Sequence, residues 1–379
     1  MRAINPPQAL LVVSSALAAL LLPFVTLAPN RLLSGHGQPL WALLHGAAWL
    51  VLLPWPLLVW SLFGARRALG WLGPLASALW LSLLPWLAGG LASTLVTDPD
   101  SLARVSPGAG FCLSWGLTGL LLHEQLRALL PAYGLRALLF GAALLPPVWM
   151  LQHGTLDGLS LLKEYTNHRQ AFDLAGWQHL RLVLYSVLPA SVLGALLGVA
   201  AHRRRALRTP LFAVLNIIQT IPSIALFGLL IGPLALLGAY FPASGIAGIG
   251  LAPALLALTL YSLLPMARGT QAGLEQVPSG VIDAARGMGL TARQIFWRVE
   301  LPLALPVFLT GLRITTVQAV GLAEVAALIG AGGFGALMFQ GLLGSALDLV
   351  LLGVLPVVAL AIAVDALFKL LIAGLSRHD

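Results

Sequence analysis

Long apolar segments recur along the whole chain and constrain its fold more than any other feature. The first is ALLVVSSALAALLLPFVTLA, at residues 9–28. It has the length of about 20 residues that a helix needs to cross a bilayer. Within lipid the backbone must satisfy its own hydrogen bonds, so only helices and closed barrels can span it. Barrel strands would be short and alternating, so these continuous segments predict helices.

The composition supports the same class. Of the 379 residues, 59% are hydrophobic and only 9% are charged, whereas a soluble domain has about 25% charged residues. We therefore predict an all-α polytopic membrane protein surrounded by lipid. The net charge of +8 does not indicate a nucleic-acid partner, because the arginines lie mainly in short connections between apolar segments. Cys112 is the single cysteine, so no intrachain disulfide can form.

About ten transmembrane helices are predicted. They lie near residues 9–28, 40–63, 70–95, 109–122, 136–152, 181–201, 210–233, 249–267, 304–328 and 349–374. The first is longer than the apolar part of a signal peptide and is interpreted as an uncleaved span. The fourth is short unless it continues through HEQLRALLPAY, and the fifth contains two consecutive prolines.

The arginines predict the orientation. With the N-terminus in the cytoplasm, most basic connections face inward. These inward residues are Arg66, Arg67, Arg127, Arg136, Arg203, Arg204, Arg205, Arg208, Arg268, Arg286, Arg293, Arg298 and Arg377, whereas Arg31, Arg104, Lys163, Arg169 and Arg181 face outward. This asymmetry predicts a multi-pass protein of the bacterial inner (plasma) membrane with both termini in the cytoplasm.

The chain is predicted to divide near residue 178. Residues 1–178 form a five-span membrane region that ends in an outer loop at 153–180. Residues 179–375 contain five more spans and a charged cytoplasmic loop at 268–302, which we call the charged loop.

The charged loop has the pattern of a helix, a glycine turn and a second helix. Ser279 is the predicted N-cap of the first helix, and Gly289 is predicted to end it in the left-handed conformation. Thr291 and Gln294 have the spacing of a capping box at the start of the second helix. Pro302 is predicted to limit how far that second helix extends.

Both helices of the charged loop have a predicted apolar side. Val281, Ala285 and Met288 share one face of the first helix, and the second has an apolar edge, formed by Ile295, Phe296 and Val299. A thin amphipathic helix of this kind fits a groove on another protein. The alternative is a helix that lies on lipid headgroups with its arginines on phosphates.

The same loop resembles the coupling loop of ABC importer permeases. That loop has the pattern E-A-A, three residues, G, nine residues, I-x-L-P. Here it reads Asp283-Ala284-Ala285, then Gly289, then Val299-Glu300-Leu301-Pro302, with Asp for Glu and Val for Ile. The resemblance implies a C-terminal five-helix type I ABC importer core. It also implies that a separate ABC ATPase subunit is coupled through Asp283, Ala284, Ala285, Gly289, Val299, Leu301 and Pro302.

Three further segments resemble one branch of these permeases. They are LNIIQTIPSIALFGLL at 215–230, YSLLPMARGTQAGLEQVP at 261–278 and AALIGAGGFGALMFQGL at 326–342. They are similar to permeases of osmoprotectant importers, which take up glycine betaine, choline or related compounds. The resemblance implies a second permease copy, in a homo- or heterodimer, and a solute-binding protein on the outer face.

The chain is predicted to be a transport subunit rather than an enzyme. A P-loop needs a lysine directly after a glycine, and neither Lys163 nor Lys369 follows one. No cofactor is therefore predicted in this chain, and ATP is expected on the partner subunit. Two alternatives are an ABC permease for another small solute, such as an amino acid or a choline-like compound, and a secondary transporter. The latter would need ionisable residues deep in several spans.

Candidate pathway residues are Glu324, Gln219 and Pro222. Glu324 lies inside the ninth predicted span, where an ionisable group is costly and is by default a functional hypothesis. It either faces a water-filled pathway and favours a cationic or zwitterionic solute, or it is hydrogen-bonded between helices. Arg313 is predicted to reach the cytoplasmic surface instead.

The remaining motifs predict structure rather than chemistry. The sequence GAGGFG at 330–335 formally matches a dinucleotide fingerprint, but it follows an apolar span, so we predict a close-packed turn near the pore. Asp348 and Asp365 are predicted to cap or pair at helix ends. The histidines are scattered without the spacing of a metal site, so no metal is predicted.

Overall fold

The computed structural model describes residues 5–30, 33, 35–63, 70–96 and 101–375. Most of them are helical, which confirms the predicted fold class. Contacts divide the chain into two compact units. The first comprises Met1–Asn167 with Gly344–Asp348, and the second comprises His168–Leu343 with Leu349–Asp379. Several residues used to predict the orientation, Arg31, Arg66, Arg67 and Arg377, lie outside the described residues.

Fewer helices than predicted are long enough to span a membrane. Among the described residues seven are long and apolar enough, against the ten predicted spans. They are Leu72–Leu95, Tyr133–Gln152, Arg169–Arg203, Ser223–Tyr240, Leu251–Glu275, Ala292–Ile329 and Leu347–Leu375. Three shorter apolar helices are Pro6–Leu21, Ala48–Phe63 and Phe334–Leu343.

The first unit combines seven helices with three strands over its described residues. The helices are α1 (Pro6–Leu21), α2 (Pro54–Phe63), α3 (Leu72–Leu95), α4 (Ala109–Leu129), α5 (Tyr133–Ala143), α6 (Leu145–Gln152) and α7 (Ser160–Asn167). The strands are β1 (Pro23–Ala28), β2 (His36–Pro39) and β3 (Arg104–Pro107). Short 3₁₀ turns at Leu40–Leu43 and Gly46–Leu52 precede α2.

The first two predicted spans have the wrong limits, and their helices are shorter than predicted. Pro23 ends the helical part of the first apolar segment, because a proline disfavours helical geometry in the residue before it. Residues 23–28 form β1, the central strand of an antiparallel sheet in the order β2-β1-β3, in which Val25 is opposite both Gln38 and Pro107. The predicted span at 40–63 is divided into the 3₁₀ turns and α2.

The fourth and fifth predicted spans also have different limits. α4 continues to Leu129, through most of the segment that the sequence left open. The fifth is divided between α5 and α6 at Leu144, just before Pro146 and Pro147. Prolines fit the first turn of α6, where their missing N–H needs no helical partner.

Asp348 belongs to the first unit, although the sequence placed it among the later spans. Its Oδ2 accepts a hydrogen bond of 2.9 Å from the Ser106 hydroxyl and another from the Ser160 hydroxyl. Asp348 also lies in the first turn of a helix that begins at Leu347. The carboxylate is therefore paired at a helix end, as predicted.

The second unit is helical over its described residues. Its elements are α8 (Arg169–Arg203), α9 (Arg205–Thr220), α10 (Ser223–Tyr240), α11 (Leu251–Glu275), α12 (Ser279–Gly287), α13 (Ala292–Ile295), a π-helical turn (Phe296–Glu300), α14 (Leu301–Val325), α15 (Phe334–Leu343) and α16 (Leu347–Leu375, of which Leu347 and Asp348 belong to the first unit). α8 is 35 residues long, so part of the predicted outer loop at 153–180 is helical.

Small residues allow α8, α11 and α14 to pack closely. A Cβ atom at Gly194 of α8 would lie 2.6 Å from the Cβ atom of Met266 in α11. Where α11 crosses α14, a Cβ atom at Gly269 would lie 2.8 Å from the Cα atom of Gly311. Such contacts are typical of helices that associate in lipid.

Candidate coupling and transport site

Gly289 ends the first helix of the charged loop as predicted. Its φ of +81° is in the left-handed region. Its N–H donates to the Arg286 carbonyl at 2.9 Å, and the Leu290 N–H donates to the Ala285 carbonyl at 3.2 Å. These two bonds form a Schellman motif, which satisfies the last carbonyls of α12.

The predicted N-cap of α12 is wrong. The helix begins at Ser279, and Pro278 occupies the cap position without a side-chain cap hydrogen bond. The Pro278 carbonyl accepts the Val281 N–H at 3.1 Å. Ser279 is therefore the first helical residue.

The second helix starts as predicted but ends differently. Thr291 and Gln294 form a capping box, in which the Thr291 N–H donates to Gln294 Oε1 at 2.8 Å and the Gln294 N–H donates to Thr291 Oγ1 at 3.4 Å. The helix does not stop at Pro302 but continues through the π-helical turn into α14. Proline lacks an N–H donor, and a π turn just before it changes the hydrogen-bond spacing at that point.

The apolar faces of α12 are rotated from the prediction. Ala285 is 1% exposed, whereas Val281 is 41% and Met288 is 73% exposed, so these three residues do not form one surface. Ile282 packs inward with Phe296 against buried Leu274, Val277 and Ala304. The outward side of α12 carries Val281, Ala284 and Met288, which we call the α12 stripe.

The other residues of the predicted coupling motif are divided between two environments. Asp283 is exposed and pairs with Arg286 at 3.1 Å. Val299 and Leu301 are partly buried around the π-helical turn, and Pro302 is exposed. The exposed residues of the motif are therefore Asp283, Ala284 and Gly289, in and just after α12, and Pro302 at the start of α14.

Arg203 and Glu300 form a contact that sequence reasoning missed. Glu300 is 4% exposed, and its carboxylate pairs with the guanidinium of Arg203, in the last turn of α8. The same guanidinium lies 5.5 Å from the Phe296 ring centre. The signal available in the sequence was an acidic residue within the VELP segment and an arginine cluster at 203–205.

The predicted span at 210–233 is two helices. α9 ends at Thr220, Ile221 is extended, and α10 begins after Pro222. Tyr261 of α11 holds this break, because its hydroxyl donates to the Ile221 carbonyl and its own carbonyl accepts the Gln219 amide at 2.8 Å. Pro222 causes the break by disfavouring helical geometry at Ile221.

A cleft of about 380 Å³ lies between α9, α11 and α14. Its lining residues are Gln219, Leu264, Pro265, Arg268, Gly269, Ala272, Val307, Thr310, Gly311, Ile314 and Gln318. Of the three predicted pathway residues, only Gln219 lines it. Pro222 lies at the α9–α10 break, and Glu324 lies near the end of α14.

The GAGGFG segment is a close-packed turn, as predicted. Gly330, Gly332 and Gly333 have φ values of +79°, +78° and +82°. The Gly333 N–H donates to Gln178 Oε1 at 3.0 Å. A Cβ atom at Gly335 would lie 1.9 Å from the Glu324 carbonyl oxygen, so α15 packs directly on the end of α14.

Glu324 is half-buried beside this turn. Its Oε1 is buried, and among the described residues it has no hydrogen-bond partner. Arg313, on the same helix, lies 3.6 Å from Asp365, which also pairs with Lys369 at 2.6 Å. Asp365 is therefore paired, as predicted, but it lies inside α16 rather than at a helix end.

The fold defines a class of protein: an all-α protein with several helices long and apolar enough to cross a membrane, and with an exposed charged loop. Comparison with known proteins agrees. Residues 190–377 match the family described as "Binding-protein-dependent transport system inner membrane component", and residues 5–162 match "ABC transporter permease YehY, N-terminal domain".

Individual relatives each match about half of the chain. The chain is 42% identical over 189 residues to the osmoprotectant import permease protein OsmW of Salmonella typhimurium, which spans 50% of this chain and 84% of that protein. It is 34% identical over 206 residues to the choline transport system permease protein OpuBB of Bacillus subtilis. That match spans 53% of this chain and 89% of that protein. An inward-facing structure of the MetNI methionine ABC transporter matches with a TM-score of 0.50 and 25% identity, over 55% of this chain and 98% of that one.

The chain belongs to the family of binding-protein-dependent inner membrane components, the permease subunits of ABC importers. This confirms the resemblance that the sequence predicted.

Proposed function

We propose that the protein is the permease of an ATP-driven importer for osmoprotectants such as glycine betaine or choline. The observation that carries this proposal is the 42% identity with an osmoprotectant import permease over 189 residues. The chain would form the translocation pathway of the importer. An ABC permease for another small solute, such as an amino acid, is the alternative, and a secondary transporter is a weaker one.

The α12 stripe is the proposed contact with the ATPase subunit. It is apolar, exposed and followed by the glycine turn at Gly289, which suits a helix that inserts into a groove on another protein. ATP would be bound by that partner subunit, because neither lysine of this chain has the P-loop context. Movement of the ATPase subunit would be transmitted to the membrane helices through α13 and the π-helical turn, which are continuous with α14.

The rest of the assembly follows from the same proposal. A second permease copy would complete the pathway, and a solute-binding protein would deliver solute at the outer face. The location would be the bacterial inner membrane with both termini in the cytoplasm. That orientation needs an even number of crossings, so one or three shorter apolar helices would have to cross with the seven long ones.

Uptake measurements test the transport function. Cells that lack their own osmoprotectant importers would express this permease with its ATPase and binding protein, and labelled glycine betaine and choline would be supplied at raised osmolarity. We expect ATP-dependent uptake of at least one of them. Uptake that persists without the ATPase would indicate a secondary transporter, and uptake of neither compound would favour another solute.

Co-purification tests the docking surface. Substitution of both Ala284 and Met288 by Arg places two charges on the α12 stripe, and we expect the ATPase to be lost from the purified complex. The matched control is Gln276→Arg, which adds a charge at an exposed position between α11 and α12. Retention of the ATPase by the double variant would exclude the stripe as the contact.

A further inference from the structure

Arg268, predicted as the first residue of the charged loop, lies instead within α11, which continues to Glu275. It lines the cleft between α9, α11 and α14. One of its guanidinium nitrogens donates to Asn216 Oδ1 at 2.9 Å. The guanidinium carbon lies 5.9 Å from the centre of the Phe212 ring. Both contacts are with α9 and neither is with an acid. They hold the arginine in place without neutralising its charge.

The nearest acidic group on the same helix is already occupied. Glu275, about 10 Å further along α11 by helical rise, accepts from Arg208 at 3.0 Å and from Gln271 at 2.8 Å. Among the described residues no carboxylate oxygen lies within salt-bridge distance of Arg268. The cleft therefore carries one uncompensated positive charge.

The walls around Arg268 are of two kinds. Gln219, Thr310 and Gln318 supply amide and hydroxyl groups. The remaining walls are mostly apolar and include Leu264, Val307 and Ile314. The volume of about 380 Å³ is within the range of small-molecule sites. One charged group among a few neutral polar groups, beside mostly apolar walls, suits a small solute with a carboxylate at one end and a methylated head at the other.

We propose that Arg268 binds the carboxylate of the transported solute within the permease itself. The proposal rests on the transport function proposed above and adds a specificity to it. A guanidinium can hold a carboxylate with two parallel hydrogen bonds, which a lysine cannot reproduce. The cleft should accordingly favour carboxylated solutes, such as glycine betaine, over alcohols of the same shape, such as choline.

Binding can be measured without transport. The purified permease–ATPase complex in detergent would be heated with increasing concentrations of glycine betaine or choline, in the absence of binding protein. A ligand of the folded state raises the melting temperature. We expect glycine betaine to raise it more than choline, and we expect Arg268→Gln to remove that difference. Arg268→Lys keeps the positive charge but cannot form the two parallel hydrogen bonds. This variant should retain part of the difference between the two solutes.

A matched control removes the same charge elsewhere. Arg205→Gln changes an exposed arginine of α9 that does not line the cleft, and it should leave the glycine betaine effect unchanged. Equal effects of the two solutes on the unaltered complex would overturn the proposal. It would also be overturned if the glycine betaine effect survived in Arg268→Gln.

Uptake into proteoliposomes that hold the complete importer separates this inference from the proposed function. Removal of a hydrogen bond to a charged group should reduce the apparent affinity for glycine betaine about tenfold or more, with little change for choline. An equal loss for both solutes would indicate that Arg268 binds a lipid phosphate or only supports α9, and would refute the carboxylate site. If the unaltered importer carries neither solute, the substrate proposal fails, while the heating experiment still decides whether Arg268 recognises a carboxylate.

Discussion

Arg203, in the last turn of α8, is paired with Glu300, the buried last residue of the π-helical turn. These residues are 97 positions apart in the chain. The pair joins the end of α8 to the π-helical turn that leads into α14. Its acidic member is 4% exposed, in contrast to Asp283 and Glu275, whose ion pairs lie at the surface.

Glu300→Gln should therefore destabilise the protein more than removal of a surface charge. The substitution keeps the size of the side chain but leaves the Arg203 guanidinium without its charged partner. We expect the free energy of unfolding to fall by about 1–3 kcal/mol. The melting temperature of the purified permease, measured in one detergent for all variants, checks this.

The control for Glu300→Gln is Glu275→Gln. Glu275 pairs with Arg208 at 3.0 Å, and both side chains are about half exposed. An exposed pair contributes only about 0–1 kcal/mol. Equal changes in melting temperature for the two variants would mean that burial of Glu300 adds nothing to the strength of its pair.

Gly289→Val should uncouple ATP hydrolysis from transport. A Cβ atom at this position would meet no atom within 4 Å, so the strain would come from the φ of +81° rather than from a clash. A β-branched residue is a true outlier there, and the turn between α12 and α13 would have to change. We expect ATPase activity of the complete importer to persist while uptake per ATP falls.

Gly289→Asn distinguishes backbone conformation from side-chain bulk. Asparagine also adds a side chain but tolerates the left-handed region. Uptake per ATP in this variant should remain close to that of the unaltered importer. If both variants transport normally, the geometry of this turn is not needed for coupling.

Local signals in the sequence predicted much of the charged loop. The glycine turn and the capping box depend on neighbours within a few residues, so both could be predicted from spacing alone. The end of the second helix could not, because a π-helical turn before Pro302 avoids the break that a proline normally causes. The rotated face of α12 depends on Ile282 packing against α11 and α14, which the pattern of α12 alone does not show.

Contacts between distant segments explain the remaining errors. The strand at residues 23–28 has the apolar character of a membrane span, and only its pairing with β2 and β3 makes it a strand. The partner of Glu300 could not be predicted for the same reason. Pro222 was visible in the sequence, but the break that it makes is held by Tyr261 from another helix.

Gly269→Ala should weaken the packing of α11 on α14. The added Cβ atom would lie 2.8 Å from the Cα atom of Gly311, and a backbone atom cannot rotate away. Forcing the helices apart should cost about 1–3 kcal/mol. The measurement is again the melting temperature of the purified permease.

The matched control is Gly228→Ala in α10, where a Cβ atom would meet nothing within 4 Å. Alanine is the better helix former, so this variant should be as stable as the unaltered protein or slightly more so. A loss of stability at both positions would show that glycine flexibility, rather than the close contact with α14, is what the helices require.

Glu324→Gln tests whether this half-buried carboxylate takes part in transport. The substitution preserves shape and removes the negative charge. If the side chain faces a water-filled pathway, uptake of choline, which is cationic, should fall more than uptake of the zwitterion glycine betaine. If Glu324 is only hydrogen-bonded between helices, an amide can replace it and uptake of both should be unchanged.

Because Arg268 is predicted to act on the carboxylate end of the solute and Glu324 on its cationic end, Arg268→Gln and Glu324→Gln should shift the preference between the two solutes in opposite directions. Unchanged choline uptake in Glu324→Gln would remove this residue from the mechanism and leave Arg268 as the charged group proposed to contact the solute.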